Sequence, residues 1–209
     1  MRCPTRTSPE QAFGEAYYAT ANYSHYLCKA DRYRHLARDL ADLFEKVSVW
    51  QDVDRLLDFG CGPGFLVQGF QKLGKQASGC DISAWSVHYG GATLGIPFLR
   101  LPEQVDWHTH WSMVTALDVF EHMTDDDLAA LFAKLDAEHL VVRIPVCDED
   151  GGKFVLPVSE ADPTHINRKT AASWDRLLRG HGWQPWLVLN LSTIWESSGV
   201  LSRVYRRQA

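Results

Sequence analysis

Apolar and polar positions alternate along most of the chain in a way that predicts strands and helices in turn. Short apolar runs that end in glycine, proline or aspartate are typical of buried strands, and apolar residues every three or four positions are typical of helices. The predicted strands are Leu56–Phe59, Gln76–Cys80, Phe98–Arg100, Trp111–Leu117, His139–Ile144, Trp186–Leu191 and Val200–Tyr205. The predicted helices lie within residues 8–29, 36–47, 65–73, 84–89, 124–135 and 170–178.

This alternation predicts an α/β fold, a Rossmann-like doubly wound sheet that is mostly parallel and has helices on both faces. Gly199 suits a hairpin between the last two strands, so we expect the last strand to be antiparallel. Residues 147–169 form a long polar connection, and connections of that length are usually functional or mobile.

The composition limits the classes of protein to which this chain could belong. The chain has 209 residues, 45% of them hydrophobic and 22% charged, which suits one globular domain with a short appendage. The net charge of -5 gives no overall attraction to nucleic acid or to an anionic membrane. The five cysteines are widely spaced and form no CxxC pair, so we expect a reducing, cytoplasmic setting.

The strongest chemical signal is a glycine-rich turn between the first predicted strand and the following helix. Gly60, Gly62 and Gly64 form a G-x-G-x-G pattern that begins two residues after Asp58. A dinucleotide fingerprint would require its third glycine where Phe65 stands, and an acidic residue before the turn would repel a diphosphate. The pattern therefore favours a nucleoside cofactor that carries a cationic ammonium group.

Asp81 ends the second predicted strand, where an acidic side chain can accept hydrogen bonds from both hydroxyls of a ribose. An alternative is that Asp81 caps the helix that begins near Ser83.

The segment Leu56–Gly64 resembles motif I of the class I S-adenosylmethionine-dependent methyltransferases, and the resemblance continues at residues 79–83, 116–123 and 162–165. It implies methyl transfer from S-adenosylmethionine to oxygen or nitrogen of a small molecule. The branch is similar to ubiquinone-biosynthesis O-methyltransferases and to sugar or natural-product methyltransferases. On this interpretation residues 1–48 are an N-terminal helical lid and residues 49–209 are the S-adenosylmethionine-binding domain.

The resemblance also implies which residues bind the cofactor. Asp58 and the glycine turn would border the methionine moiety, and Asp81 would hold the ribose. Glu103 is the nearest candidate for the adenine, although a surface glutamate fits equally well. The full implied set is Asp58, Gly60, Cys61, Gly62, Gly64, Asp81, Ile82, Glu103, Asp118 and Val119.

His122 and His165 are the candidate catalytic residues, with His122 preferred as the base because it follows the fourth strand. Either histidine could instead order a loop. We expect no metal, but a divalent-metal site formed by Asp118, Glu121, His122 and His165 remains an alternative, because related families use a similar pattern.

Tyr18, Tyr23 and Tyr26 belong to an aromatic segment that could close over a substrate or simply pack against the sheet. We expect a small-molecule methyl acceptor, no membrane or nucleic-acid partner, and a monomer or homodimer. The rival functions are a peptide, protein or RNA methyltransferase, and a catalytically silent subunit that only binds cofactor.

Overall fold

The computed structural model describes residues 12–19, 26–194 and 197–208, so the predicted start of the first helix, at residue 8, and Tyr23 lie outside the described residues. The strands are β1 Arg55–Phe59, β2 Gln76–Cys80, β3 Leu99–Arg100, β4 Trp111–Leu117, β5 Ala137–Pro145, β6 Trp183–Val188 and β7 Val200–Arg207. The α-helices are α1 Glu15–Ala19, α2 Ala30–Lys46, α3 Phe65–Lys72, α4 Ala84–His88, α5 Asp125–Lys134, α6 Pro157–Glu160 and α7 Ala171–Gly180. Short 3₁₀ turns cover Tyr26–Lys29, Trp50–Asp52, Pro102–Gln104 and Phe120–His122, and a π turn covers Tyr89–Thr93.

The strands form one sheet in the order β3-β2-β1-β4-β5-β7-β6. Strands β1 to β5 pair in parallel, whereas β7 runs antiparallel to both of its neighbours. This confirms the predicted doubly wound sheet with an antiparallel last strand. The order reverses between β1 and β4, and in such sheets the crevice at the carboxyl ends of those strands is where ligands bind.

Helices cover both faces of the sheet and bury two apolar clusters. On one face α2 and α3 pack over β1 and β4, with Leu36, Leu40 and Phe44 fully buried. On the other face α5 and α7 supply Leu128, Trp174 and several neighbours. The second half of the predicted lid, α2, therefore belongs to the packed layers of the domain. None of the described helices has the length and apolar character that crossing a membrane requires.

Strand β6 and the long connection after β5 differ most from the prediction. Strand β6 begins at Trp183 instead of Trp186, because an edge strand tolerates Pro185 where a central strand would lose a hydrogen bond. The register shifts between Pro185 and Leu187. The long connection 147–169 contains α6 and a bridge between Cys147 and Phe154, so part of it is regular.

Candidate active site

The glycine turn is held by backbone hydrogen bonds to the neighbouring strand. Gly60 donates its N–H to the Cys80 carbonyl at 2.7 Å, and Gly62 donates to the Asp81 carboxylate at 2.7 Å. Gly60 has a φ of 76°, and a Cβ atom there would lie 2.3 Å from Val119 Cγ2. Any side chain at Gly60 would be strained and would collide, so the residue keeps the turn close to the end of β4.

Asp81 is buried, at 7% exposed, and both of its carboxylate oxygens accept a backbone hydrogen bond. Oδ2 accepts from Gly62, and Oδ1 accepts from the Ser83 N–H at 2.8 Å. The side chain that caps α4 is that of Ser83, which accepts from the Ser86 N–H. Burial raises the pKa of Asp81, and the two backbone donors oppose that rise. Each oxygen keeps a lone pair for one further donor.

Asp58 lies beside Asp81 at the end of β1 and is also buried. The Thr115 hydroxyl, directly opposite on β4, donates to its carboxylate at 2.6 Å. Burial raises the pKa of Asp58 to about 7; the hydrogen bond from Thr115 opposes the rise, and the charge of Asp81 adds to it. Asp58 can therefore change protonation state near neutral pH.

A tight turn after β4 carries the next predicted residues. Asp118 has a φ of 56°, which is uncommon for a residue with a side chain but tolerated by aspartate. Arg143 on β5 holds this turn twice, since its carbonyl accepts the Asp118 N–H at 2.7 Å and its guanidinium donates to the Asp118 carboxylate. Sequence reasoning did not select Arg143, although a charge inside the apolar run of β5 was a signal that could have done so.

The turn continues into Glu121 and His122, which lie next to His165. Ligand atoms of these three residues all lie within 4.8 Å of one another. His165 Nε2 is 3.9 Å from the Glu121 carboxylate and 3.8 Å from that of Asp162. The two imidazole rings meet edge to face, with centroids 4.6 Å apart. The structure therefore brings both predicted catalytic histidines together.

Backbone contacts explain why these distant segments meet. The Glu121 carbonyl accepts the N–H groups of Ile166 and Asn167, each at 2.9 Å. The Asn167 amide donates in turn to the Met123 carbonyl at 2.9 Å. The residues around His165 are thus fixed against the turn after β4.

The Glu121 carboxylate is fully buried, and neither of its oxygens reaches a hydrogen-bond donor on another of the described residues. Burial, with the nearby charge of Asp118 adding to it, raises the pKa of Glu121 well above its usual range. A buried carboxyl without such donors carries a large desolvation penalty when it is ionised.

His122 is neutral at physiological pH. Burial, reinforced by the neighbouring His165, lowers its pKa to about 4. Its Nδ1 lies 3.2 Å from the Thr164 carbonyl and 3.0 Å from the Thr164 hydroxyl. With Nδ1 donating to that carbonyl, Nε2 carries the lone pair that a base or a metal ligand needs.

The donor types in this cluster suit a transition metal. One carboxylate from Glu121 and two imidazoles, from His122 and His165, are a donor set that binds zinc, iron or manganese in proteins. Asp118, the fourth residue of the metal alternative, has its carboxylate engaged by Arg143.

Two described residues of the predicted lid lie over the glycine turn. A Cβ atom built on Gly62 would be 3.1 Å from the Tyr26 hydroxyl and 3.6 Å from the Tyr18 hydroxyl. The Tyr18 ring stacks on Trp85, with centroids 5.2 Å apart. Burial raises the pKa of Tyr18, and the charge of Asp81 adds to that rise.

The same N-terminal segment also contacts the histidine cluster. Ser83 donates its hydroxyl to the Phe13 carbonyl at 2.5 Å, and the Phe13 ring packs edge-on against His122 at 5.4 Å. The Tyr17 hydroxyl donates to Asp162 at 3.3 Å. Residues 12–19 therefore touch both the glycine-turn side and the histidine side of the site.

The remaining predicted positions differ in their surroundings. Cys61 is buried against Gly79, and Gly64 precedes α3 as its N-cap residue in a left-handed conformation. Ile82 is 49% exposed beside Asp81, and Glu103 is exposed on a short turn after β3.

A family profile described as a methyltransferase domain matches residues 29–188, so the chain belongs to this family of methyltransferase domains. This confirms the resemblance found in the sequence.

Individual relatives agree with the family assignment. A ubiquinone biosynthesis O-methyltransferase of a Bradyrhizobium species is 28% identical over 70% of this chain and 61% of its own length. Another, from Rhodopseudomonas palustris, is 36% identical over 34% of this chain and 30% of its own length. These alignments span less than two thirds of either relative.

A solved structure shares the fold. The magnesium protoporphyrin IX methyltransferase of Synechocystis, with bound SAH, aligns with a TM-score of 0.63 over 95% of this chain and 98% of that chain, at 14% identity.

Proposed function

We propose that this chain transfers a methyl group from S-adenosylmethionine to an oxygen atom of a small molecule. The observation that carries the proposal is that the glycine turn, with its two buried aspartates, lies beside the turn that bears Glu121 and His122, because Val119 packs against Gly60. A cradle for a nucleoside and a neutral base thus share one edge of the sheet. The relatives named as O-methyltransferases favour oxygen over nitrogen.

The residues of the glycine-turn side suit the cofactor. The lone pairs left on the Asp81 carboxylate can accept the two ribose hydroxyls, and ionised Asp58 can pair with the ammonium group of the methionine moiety. Gly62 leaves room for close approach of a ligand once the tyrosine hydroxyls above it move. When bound, S-adenosylmethionine supplies a methyl group activated by a sulfonium.

On the other side, His122 Nε2 accepts the proton of the acceptor hydroxyl. A base whose pKa is about 4 does not ionise an alcohol beforehand, so it accepts the proton as the oxygen becomes acidic during transfer. Asp162, near His165, favours the positive charge that then develops on the imidazole pair. Phe13, packed on His122, helps to exclude water.

A divalent ion held by Glu121, His122 and His165 is a second candidate for the acceptor side. The observation in its favour is that the buried Glu121 carboxylate reaches no donor on another described residue. A bound ion would keep Glu121 ionised and would lower the pKa of an acceptor hydroxyl.

The rival functions agree less well with the residues of this site. The net charge of -5 opposes RNA, and the acidic side chains around the histidines would repel its phosphates. A silent cofactor-binding subunit would not need a neutral histidine next to a buried glutamate, and it is distinguished from an enzyme by turnover.

Calorimetric titration with S-adenosylhomocysteine tests the cofactor half. Asp81→Asn keeps the size of the side chain but removes its charge, so it should weaken binding about 10- to 100-fold. The matched control is Asp136→Asn, at an exposed aspartate that pairs with His110. Equal affinity of wild type and Asp81→Asn, or preferential binding of a nicotinamide dinucleotide, would contradict the proposal.

Transfer of a radiolabelled methyl group to a panel of small phenols and alcohols tests the enzymatic half. Labelled product from wild type, reduced in His122→Ala, supports catalysis. Tight cofactor binding without transfer to any acceptor of the panel supports the silent subunit. Loss of transfer with a chelator, restored by a divalent ion, supports the metal candidate.

A further inference from the structure

Thr164 connects His122 to the buried carboxylate of Asp162. The Thr164 hydroxyl donates to Asp162 Oδ1 at 2.5 Å, and the Thr164 N–H donates to the same oxygen at 2.9 Å. On the other side, His122 Nδ1 lies 3.0 Å from the Thr164 hydroxyl oxygen and 3.2 Å from the Thr164 carbonyl oxygen. One residue therefore presents two oxygen atoms to a single nitrogen of the imidazole.

A local turn fixes the orientation of Thr164. An aspartate whose side chain accepts the backbone N–H two residues later forms an Asx turn, and Asp162 does this with Thr164. The Asp162 side chain is itself held in place, because the residue is 4% exposed and its other oxygen accepts the Tyr17 hydroxyl at 3.3 Å. The position of the Thr164 hydroxyl is therefore set by the chain around it.

The directions of these hydrogen bonds decide which nitrogen of His122 carries the proton. An ionised carboxylate can only accept, and a hydroxyl has one proton, so the Thr164 proton belongs to the bond with Asp162. The hydroxyl oxygen then offers only lone pairs to His122, and the neighbouring carbonyl oxygen is also an acceptor. Nδ1 must donate, which leaves Nε2 without a proton.

We propose that Thr164 is a positioning residue for the base, because it holds His122 as the Nδ1–H tautomer and connects the ring to the charge of Asp162. The inference rests on the proposed function and adds to it a residue that acts only through His122. When Nε2 accepts the proton of the methyl acceptor, the bond from Nδ1 to Thr164 strengthens, since a charged donor forms a stronger hydrogen bond. Thr164 keeps its own proton throughout, and Asp162 remains ionised.

The kinetics of two threonine variants test this role. Thr164→Val keeps the shape of the side chain and the carbonyl oxygen but removes the hydroxyl, whereas Thr164→Ser keeps the hydroxyl. With an acceptor that wild type methylates, Thr164→Val should lower kcat about 5- to 30-fold, because the ring is charged only in the transition state. KM for the acceptor and the affinity for S-adenosylhomocysteine should stay within about twofold of wild type, and Thr164→Ser should recover most of the lost kcat.

Nitrogen-15 NMR of the histidine rings tests the tautomer and needs no turnover. In spectra recorded with a chelator near pH 7.5, the signals of His122 are those absent from His122→Ala. Wild type should show Nδ1 protonated and Nε2 unprotonated. Thr164→Val should keep this tautomer through the carbonyl but shift the Nδ1 proton upfield, because one of its two acceptors is lost.

Thr170→Val is the matched control, because the Thr170 hydroxyl caps α7 by accepting the Ser173 N–H and makes no bond to either histidine of the site. It should leave kcat and the His122 signals unchanged. An equal loss of kcat in Thr164→Val and Thr164→Ser would reveal a packing role and overturn the inference, as would an unchanged kcat in Thr164→Val or a wild type protonated at Nε2.

Failure of the proposed function is distinguishable from failure of this inference. A wild type that transfers no methyl group to any acceptor would overturn the proposed function, and the ring spectra would still decide whether Thr164 orients His122. Identical His122 signals in wild type and Thr164→Val would then overturn the inference as well.

Discussion

The two sides of the candidate site treat buried carboxylates in opposite ways. On the glycine-turn side, Asp81 accepts two backbone N–H groups and Asp58 accepts the Thr115 hydroxyl. On the histidine side, the Glu121 carboxylate is fully buried and meets no donor from another described residue. The carboxylates of one side have hydrogen-bond donors without a ligand, whereas the carboxylate of the other side has none on another described residue.

The aspartates of the glycine-turn side are therefore hydrogen-bonded parts of the fold, whereas we expect Glu121 to gain a partner only when a ligand binds. Hydrogen bonds from Gly62 and Ser83 make Asp81 part of the fold as well as a binding group. Glu121 does not stabilise the fold in this way, because an ionised carboxylate that is buried without hydrogen-bond donors from other residues is destabilising. Residues of that kind are expected where function opposes stability.

Loss of the base should have the largest effect. His122→Ala should lower kcat about 10²–10⁴-fold and leave the affinity for S-adenosylhomocysteine nearly unchanged, because His122 lies on the histidine side. Steady-state kinetics and calorimetry on the same preparation measure both quantities. Because its pKa is about 4, His122 should not produce a fall in rate between pH 8 and pH 6.

The control for this variant is His110→Ala, at an exposed histidine bound by Asp136 and Glu138. A kcat for His122→Ala within a few-fold of wild type would reduce His122 to a residue that orders its loop.

The next effect concerns stability on the glycine-turn side. Asp81→Ala leaves the N–H groups of Gly62 and Ser83 without their acceptor, so the free energy of unfolding should fall by about 1–3 kcal/mol or more. Denaturant titration without ligand measures it. An unchanged midpoint would mean that water replaces the carboxylate and that the turn is not held by Asp81.

Much of the glycine-turn side could be predicted because its chemistry is local in sequence. The glycines begin two residues after Asp58, and Asp81 directly follows the next strand. The hydrogen bond from Thr115 could not be predicted, because it depends on the register that places Thr115 opposite Asp58 on β4. The strand alternation predicted the doubly wound sheet, while Pro185 obscured the start of β6.

The histidine side was harder to predict. Its members come from segments about forty residues apart, joined by the Glu121 carbonyl, and no periodicity reports such a contact. Glu121 was identified only within the metal alternative, and nothing in the sequence shows that its carboxylate is buried. Phe13 was missed because aromatic residues are ordinary packing residues in most proteins.

An opposite change in stability is expected for Glu121→Gln, which keeps the shape but removes the ionisable group. Without ligand or metal at pH 7, this variant should be more stable than wild type by about 1–3 kcal/mol. The folded-state pKa of Glu121 is raised, so the unfolded state ionises first and wild-type stability falls as pH rises above about 4.

Unfolding curves at pH 4.5 and pH 7.5 give the measurement, and the difference between Glu121→Gln and wild type should grow with pH. Glu138→Gln, at an exposed glutamate, is the control. A Glu121→Gln protein that is less stable at both pH values would mean that the carboxylate has a partner when the ligand is absent.

Cofactor binding should release a proton from Asp58. With a pKa of about 7, Asp58 is partly protonated at pH 6.5, and pairing with the cofactor ammonium should release that proton. Titrations in buffers of different ionisation enthalpy should therefore detect release of up to about one proton at pH 6.5 and less at pH 8. Asp58→Asn should abolish the release, and a release that persists in this variant would assign it elsewhere.

The smallest expected effect concerns the segment that joins the two sides. Phe13 reaches His122 and accepts from Ser83, while Tyr18 lies over Gly62, so a cofactor that enters the turn must rearrange contacts of residues 12–19. If the segment closes over the ligand, bound S-adenosylhomocysteine should slow amide hydrogen exchange there by about tenfold, which is about 1.4 kcal/mol of local stability. Exchange in α7, on the opposite face, serves as the internal reference and should not change. Equal exchange over residues 12–19 with and without ligand would show that the segment is scaffold, and the two sides would then be linked only through the packing of Val119 against Gly60.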